Sequence, residues 1–302
     1  MPKGVQVELD SYRLTDYSVQ IPCYICSHGN MYAAELCRNC LAPMSLAHQA
    51  HAQKIRPLMT AALGASGVGK TVYLGMLLDL LSRQPERMNL VARGAFSITL
   101  QQNTVSALSR CQFPGKTPNE PDRWNWVHCQ IRTAQHRRPL ELIMPDMAGE
   151  SLFAEVDHPL SYKVIRSVLE KCSGVMVLID ALKLQQGEVS EDFVSMKLLT
   201  FLSELVAEKN GHASLPVALI LSKADRCEEC FDDPAAFARR HAPGLWQHCQ
   251  QQFRHHRFFA SGVAGACAYR WFPSEGRKCV PLRIEPRGVV EPFEWLVNQI
   301  KT

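Results

Sequence analysis

No stretch of this chain is long and apolar enough to cross a bilayer. The longest apolar runs, residues 174–179 and 215–221, fall far short of the roughly 18 residues a spanning helix needs, so no membrane span is expected. Charge of one sign is also scarce. Lys and Arg number 33 against 29 Asp and Glu, a net +4, which is too mild to attract a polyanion through bulk field. Nucleic acid is thus not excluded, but it is not the expected partner. The first twenty residues carry Glu8, Asp10, Arg13 and Asp16 and lack the apolar segment of a secretory leader, so the expected location is the cytoplasm. Internal repeats and low-complexity segments are absent. Hydrophobic residues at 46% and charged residues at 21% exclude a disordered chain, and 302 residues suit one large domain or a medium one beside a small one.

Cysteine, by contrast, is plentiful, with 12 residues. In a cytoplasmic protein of this size that points to metal or buried thiols rather than disulfides. Cys23, Cys26, Cys37 and Cys40 form C-x2-C, ten residues, C-x2-C. Each C-x2-C knuckle can aim two thiolates at one ion, and two knuckles complete the tetrahedral sulfur shell that suits zinc. Four buried thiols or a redox pair would leave the two identical spacings unexplained. The expectation is a zinc ribbon with an N-terminal extension over residues 1–46, its folding free energy supplied by the metal. Tyr24, Met31, Tyr32, Arg38 and Met44 are either a recognition face or, more simply, packing on the knuckles. Residues 47–57 read as a linker with a short helix, His48 and His51 being spare ligands at best. A third C-x2-C, Cys227 and Cys230, would need further ligands from His248, Cys249, Cys267 or Cys279, and it reads as a pair of buried thiols.

Residues 58–63 form a short apolar run suited to a buried strand, and residues 72–81 look helical. Between them stands Gly64-Ala65-Ser66-Gly67-Val68-Gly69-Lys70-Thr71, the pattern G-x-x-x-x-G-K-T in strand, loop, helix context. Such glycines let backbone N–H groups curl around phosphates. Lys70 then reaches the outer phosphates, and the Thr71 hydroxyl ligates magnesium. This loop does not choose between guanine and adenine, but the order of later segments does.

Two strand-like runs, residues 124–133 and 140–144, are joined by residues 134–139, and the second ends in Asp146-Met147-Ala148-Gly149-Glu150. A D-x-x-G placed there can couple magnesium, through Asp146, to the γ-phosphate, through the Gly149 N–H; alone it is also a common turn. Further buried strands are expected at residues 174–180 and 216–221, the latter followed by Ser222-Lys223-Ala224-Asp225. A carboxylate placed like Asp225 accepts from both N1–H and the exocyclic amine of guanine, a donor pair adenine lacks. The Lys223 stem can cover the base. A short strand at residues 257–259 leads into Ala260-Ser261-Gly262-Val263, a turn able to aim a backbone N–H at the guanine oxygen.

These four segments, in this order, resemble the G1, G3, G4 and G5 boxes of Ras-like, TRAFAC-type P-loop GTPases over about residues 58–302. With a four-cysteine ribbon ahead, the set is similar to the bacterial double-GTPase (DO-GTPase) group. The resemblance implies an α/β fold, a doubly wound and mostly parallel sheet with one antiparallel edge strand, carrying a small N-terminal zinc ribbon. It implies nucleotide binding by Gly64 to Thr71, Asp146, Gly149, Lys223, Asp225 and Ser261, and magnesium held by Thr71 and Asp146.

Three residues depart from the family pattern. Ser222 replaces the usual Asn, Glu150 replaces the water-orienting Gln, and Ser66 stands where many members have Gly and crowds an incoming arginine finger. Switch I lacks a unique marker in the forty or so residues before Trp124. A helix is expected at residues 96–110, and Thr117 is the candidate for the switch Thr, with Thr104 and Thr99 as competitors. Arg110 and Arg123 are either phosphate-approaching or ordinary surface residues. Inserts are placed near residues 84–122 and 262–289, the second exposing Trp271, Phe272 and Pro273 as a partner surface or a hairpin lid. Residues 234–252 read as one solvated helix, and residues 291–300 as the last.

The functional expectation is a magnesium-dependent GTP-binding and GTP-hydrolysing switch, slow without a partner, with Lys70, Thr117 and Glu150 as its catalytic residues and GTP or GDP, Mg2+ and Zn2+ as cofactors. A protein effector or regulator is the expected partner. The alternative is a degenerate GTPase, a nucleotide-binding scaffold that docks a protein through its ribbon. An ATP-using P-loop enzyme is a third reading, which Asp225 disfavours.

Overall fold

A computed structural model describes residues 20–83, 88–133, 135–136, 138–206, 214–274 and 276–300. The extension expected ahead of the ribbon, residues 134 and 137 of the joining segment, and residues 84–87 and 275 of the expected inserts lie outside these residues. The ribbon consists of the antiparallel pair β1 (Gln20–Pro22) and β2 (Gly29–Met31), followed by helix α1 (Met44–Gln53). That helix starts three residues earlier than the linker helix expected from the sequence, because Met44 and Leu46 are drawn into the core.

The larger unit runs β3 (Leu58–Leu63), α2 (Lys70–Arg83), β4 (Asn89–Arg93), α3 (Ala95–Ser109), β5 (Asn125–Arg132), β6 (Leu140–Asp146), α4 (Gly149–Asp157), α5 (Lys163–Lys171) and β7 (Cys172–Asp180). It continues with α6 (Ala181–Gln185), α7 (Val189–Val206), β8 (Val217–Ser222), α8 (Glu229–Asp232), α9 (Pro234–His241), α10 (Pro243–Gln252), β9 (His256–Ala260), the hairpin β10 (Gly262–Phe272) and β11 (Gly276–Arg287), and α11 (Val290–Gln299). The sheet order is β4-β5-β6-β3-β7-β8-β9, parallel except where β5 runs against both neighbours. The antiparallel strand is therefore not at the edge, because β4 covers it. The single helix expected at residues 234–252 is two: Pro243 disfavours helical backbone at Ala242, which sits at φ −140° and ψ 62°.

Strands β3, β7 and β8 read as continuous apolar runs because both their faces are covered. On β7, Val175, Val177 and Ile179 enter one core, while Met176 and Leu178 enter the other. The second core is closed by α2, α3 and α11, through Leu74, Leu77, Leu100 and Phe293. The first holds α5 and α7 and is continuous with the ribbon, joining Ile21, Ile25, Cys37 and Met44 to Trp124, Leu152 and Val164. Ribbon and sheet thus bury apolar surface together.

Helices α2 and α3 meet at Gly75, where an added Cβ would lie 2.1 Å from Thr104 Oγ1. Thr104 is fully buried in that contact, which removes it from competition as a switch residue, and Thr99 is exposed on α3. Gly75→Ala should gain under about 1 kcal/mol of helix propensity but lose about 1–3 kcal/mol to overpacking. A lowered urea midpoint with unchanged slope is the expected readout.

Candidate functional site

The phosphate loop leaves β3 at Gly64 and enters α2 at Lys70. Gly64 takes φ 144°, and a Cβ there would strike the Leu178 carbonyl oxygen at 2.5 Å, so the strand can turn here only without a side chain. Gly69, at φ 99°, completes the curl. Lys70 Nζ donates to the carbonyls of Gly64 at 2.9 Å and Ala65 at 3.0 Å, which holds the ammonium at the loop's centre. Burial pushes its pKa down to about 8, against the pull of the Asp146 and Glu150 carboxylates. Anionic ligand oxygens are what such a half-compensated cation lacks.

Beside it four oxygens of three residues converge. Thr71 Oγ1 lies 3.2 Å from Asp146 Oδ1, Thr117 Oγ1 lies 3.1 Å from Asp146 Oδ2, and the two hydroxyls are 2.9 Å apart. Asp146 is fully buried at the end of β6, and that burial raises its pKa, opposed first by the Thr71 hydroxyl and then by Lys70. A buried carboxylate with two hydroxyls is a hard oxygen set, and it fits magnesium. Three residues on, Gly149 packs so tightly on the phosphate loop that a Cβ would meet Ser66 N at 2.4 Å. Glu150 then accepts from Ser66 Oγ at 2.6 Å. The Ser66 hydroxyl is the main cause that holds the Glu150 pKa below its ordinary value, with Lys116 adding to it.

The other end of the site is built by the loops after β8 and β9. Lys223 adopts left-handed backbone at φ 58°, its Nζ paired with the buried Asp180 at the end of β7. Ala224 N donates to Ser261 O at 3.1 Å and Ser261 N to Leu221 O at 2.9 Å, so the two loops are tied to each other. Ser222 Oγ donates back to Ile179 O at 3.0 Å and is spent on the sheet. Asp225 is half-buried; burial raises its pKa, while its own backbone N–H and that of Val263 oppose the rise.

One cavity of about 490 Å³ connects these ends. Its walls include residues 66–71 of the phosphate loop, Thr117, Gly149 and Glu150 at one end, and Lys223, Asp225 and Ser261 at the other. Gly64, Ala65 and Asp146 lie behind that wall, in contact with it through Lys70 and Thr71. Arg110 and Arg123 are not part of it. Lys116, Asp180 and Tyr269, which have no role in the sequence reading, line the cavity, as do Val263 of the expected base-end turn and Cys267 and Cys279, which the sequence offers only as spare metal ligands. The insert at residues 262–289 thus forms a wall of the base end, with Arg277 stacked 4.3 Å over the Tyr269 ring.

The four N-terminal cysteines bring their sulfurs within 4.8 Å of one another. Cys23 and Cys40 are 3.7 Å apart, and Cys26 and Cys37 3.5 Å, close to the edge of about 3.8 Å that a tetrahedron with zinc–sulfur bonds near 2.3 Å would have. Donor type, number and spacing all fit zinc. Among the described residues this is the one cluster of three or more possible ligands, so Cys227 and Cys230 remain buried thiols. Met44 is fully buried and Tyr24 packs against the core, whereas Met31 and Tyr32 stay exposed.

A glycine-curled loop between a central strand and helix, an Asp at the end of the neighbouring strand, and one antiparallel strand beside it define the Ras-like class of P-loop nucleotide-binding domains. Residues 61–195 match the model of the family Double-GTPase 1. That stretch, which runs from β3 into α7 and covers under half of the chain, is similar to a family of GTPases, and the fold is that of a Ras-like P-loop nucleotide-binding domain. No curated protein matches the chain by sequence. Among solved structures, the chain is similar to the Arl6 (BBS3) small GTPase of Trypanosoma brucei with a bound nucleotide analogue, at 14% identity and a TM-score of 0.41, over 81% of this chain and 97% of that one. It is also similar to nucleolar GTP-binding protein 1 of Plasmodium falciparum, at 11% identity and a TM-score of 0.41, over 81% and 86%. Among the described residues no helix is long and apolar enough to cross a membrane.

Proposed function

We propose that the protein is a cytoplasmic, magnesium-dependent switch that binds GTP and GDP and hydrolyses GTP slowly, with the ribbon at residues 1–46, a linker at 47–57 and the GTPase unit at 58–302. The observation that carries this reading is the single cavity with Lys70 at one end and Asp225 at the other. The backbone N–H groups of Gly64 to Thr71 and the Lys70 ammonium hold the phosphates, while Lys223 and Asp225 hold the base and a backbone N–H of the turn that Ser261 opens holds its oxygen. Thr71 and Asp146 would hold magnesium, which supplies charge neutralisation of the phosphates when bound. Thr117 and the Gly149 N–H respond to the γ-phosphate, and their release after cleavage is what an effector protein would read. Positioning and fixed charge, with Lys70, Thr117 and Glu150 nearest the reacting phosphate, carry the catalysis.

Competition of GTP, GDP and ATP for the purified protein with magnesium, together with phosphate release over hours, tests this. Guanine nucleotides should win, with slow release. Lys70→Ala should weaken binding roughly 10- to 100-fold, the worth of one charge-assisted contact. ATP winning the competition would overturn the reading. A nucleotide-bound scaffold is the second reading, favoured by one contact: the Ser66 hydroxyl occupies the Glu150 carboxylate at 2.6 Å. Guanine binding with no release at all would select it.

A further inference from the structure

At the phosphate end of the cavity three segments meet on a single carboxylate. Glu150 Oε1, at the start of α4, accepts from Ser66 Oγ of the phosphate loop and lies 3.4 Å from Lys116 Nζ. Lys116 immediately precedes Thr117, whose hydroxyl sits 2.9 Å from Thr71 and 3.1 Å from Asp146. The backbone that carries Lys116 is therefore fixed beside the magnesium-binding oxygens, and Phe113 to Thr117 line the cavity. The Lys116 side chain is 79% exposed, so its ion pair with Glu150 adds almost nothing to stability. Its consequence is positional: an ammonium with three donors spends one on Glu150 at the cavity wall and keeps two for another acceptor. Glu150 by itself would be an anion confronting a triphosphate, and the nearby cation offsets that repulsion.

We propose that Lys116 supplies, from within the chain, the positive charge that stabilises γ-phosphoryl transfer, with Glu150 as the positioning residue that holds it. The proposal rests on the GTP reading above and deepens it. In the reaction a water oxygen bonds to the γ-phosphorus while the bond from that phosphorus to the β–γ bridging oxygen breaks. The bridging electron pair leaves with GDP, and the proton of the water passes to the released inorganic phosphate. Negative charge gathers on the bridging oxygen and stays spread over the γ-oxygens, so a cation placed there binds the transition state more tightly than the ground state. In related chemistry an arginine finger supplied by a partner does this. Lys116 makes the protein self-sufficient, and the Ser66–Glu150 contact, a departure from the family pattern, becomes the support of its replacement.

The test uses the full chain with magnesium in two measurements: single-turnover GTP hydrolysis, and binding of GDP with aluminium fluoride, a mimic of the transferring phosphoryl group. Wild-type protein should hydrolyse GTP and bind the mimic without a partner. Lys116→Ala should slow hydrolysis on the order of 10- to 100-fold, below the 10³ to 10⁵ of a dedicated arginine finger, and lose the mimic. Its GDP affinity should remain within about twofold, since GDP lacks the group Lys116 meets and an exposed ion pair holds little else. Lys116→Arg should restore most of the rate and Glu150→Gln should lower it with the mimic still bound weakly. Unchanged hydrolysis in Lys116→Ala, a parallel loss of GDP affinity, or wild-type protein that binds guanine nucleotide yet neither hydrolyses nor takes the mimic would each overturn the proposal. Wild-type protein that fails to bind GDP overturns the GTP reading itself, and the direct binding measurement separates that case.

Discussion

Protein with Cys23 and Cys37 both replaced by serine should contain no zinc, where wild-type protein should contain one ion per chain. The double replacement removes one thiolate from each knuckle, leaving two sulfurs where a structural site takes four. The loss should spread beyond the ribbon. Apparent zinc-binding free energies in small zinc modules are about 10–16 kcal/mol, and that energy is folding energy where the loop has no core of its own. Here the ribbon buries Ile21, Ile25 and Met44 against Trp124, Leu152 and Val164, so its unfolding uncovers the first core of the nucleotide-binding unit. The wiring between knuckles makes the collapse cooperative. Asn30, almost fully buried, donates to the His28 carbonyl at 2.8 Å and to Cys37 Sγ at 3.4 Å, and accepts from Arg38 N at 2.9 Å. Lys171 of α5 donates to Tyr24 O at 3.1 Å and Ser27 Oγ at 3.0 Å, which carries the disturbance to the sheet. Elemental analysis and hydrogen exchange at α4 and α5 read both effects: zinc gone, and protection lost around Leu152 and Val164. Full zinc occupancy in the double variant would remove the ribbon assignment, and zinc loss with unchanged protection would remove the coupling.

What the sequence made legible is what local chemistry dictates. Gly64 to Thr71 can be read because each glycine answers to a backbone need, and β7 and β8 because strands covered on both faces leave unbroken apolar runs. The helix at residues 95–109 was legible to within a residue. Strand β4 was not, since Asn89-Leu90-Val91-Ala92-Arg93 shows only Leu90 fully buried and forms because β5 offers it an edge. The position of the antiparallel strand is likewise a property of pairing rather than of any residue. Thr104 and Thr117 look alike along the chain; only tertiary packing puts one under Gly75 and the other beside Asp146. Lys116, Asp180 and Tyr269 carry no motif at all. They reach the cavity because loops far apart in sequence converge there.

Asp225→Asn should cost guanine preference by roughly 10²- to 10⁴-fold, the worth of two hydrogen bonds to a charged acceptor at about 1.5–3 kcal/mol each. Guanine presents N1–H and an exocyclic amine side by side, and the carboxylate accepts both. An asparagine keeps one acceptor, now neutral, and turns an NH2 donor toward a donor, so one bond loses its charge assistance and the other gives way to a repulsion. A xanthine nucleotide, which offers a carbonyl where guanine has the amine, should gain what guanine loses. The substitution is close to isosteric, which matters because Gly262 passes so near Asp225 that a Cβ on it would lie 2.6 Å from Oδ1. The tie between the two loops, through Ala224 N and Ser261 O, needs no side chain and should survive. Wild-type protein should also show a pH signature. Burial raises the Asp225 pKa in the free protein, while guanine's two donors favour the ionised form and lower it in the complex. Affinity for GDP is then full above the free-state pKa and falls as pH drops below it, levelling off beneath the pKa of the complex. That slope should vanish in the asparagine variant, which has no proton to take up. Titrations of GDP, XDP and ADP against both proteins across acidic pH decide the matter. Retained guanine selectivity, or an unchanged slope in the variant, would show that Asp225 does not read the base.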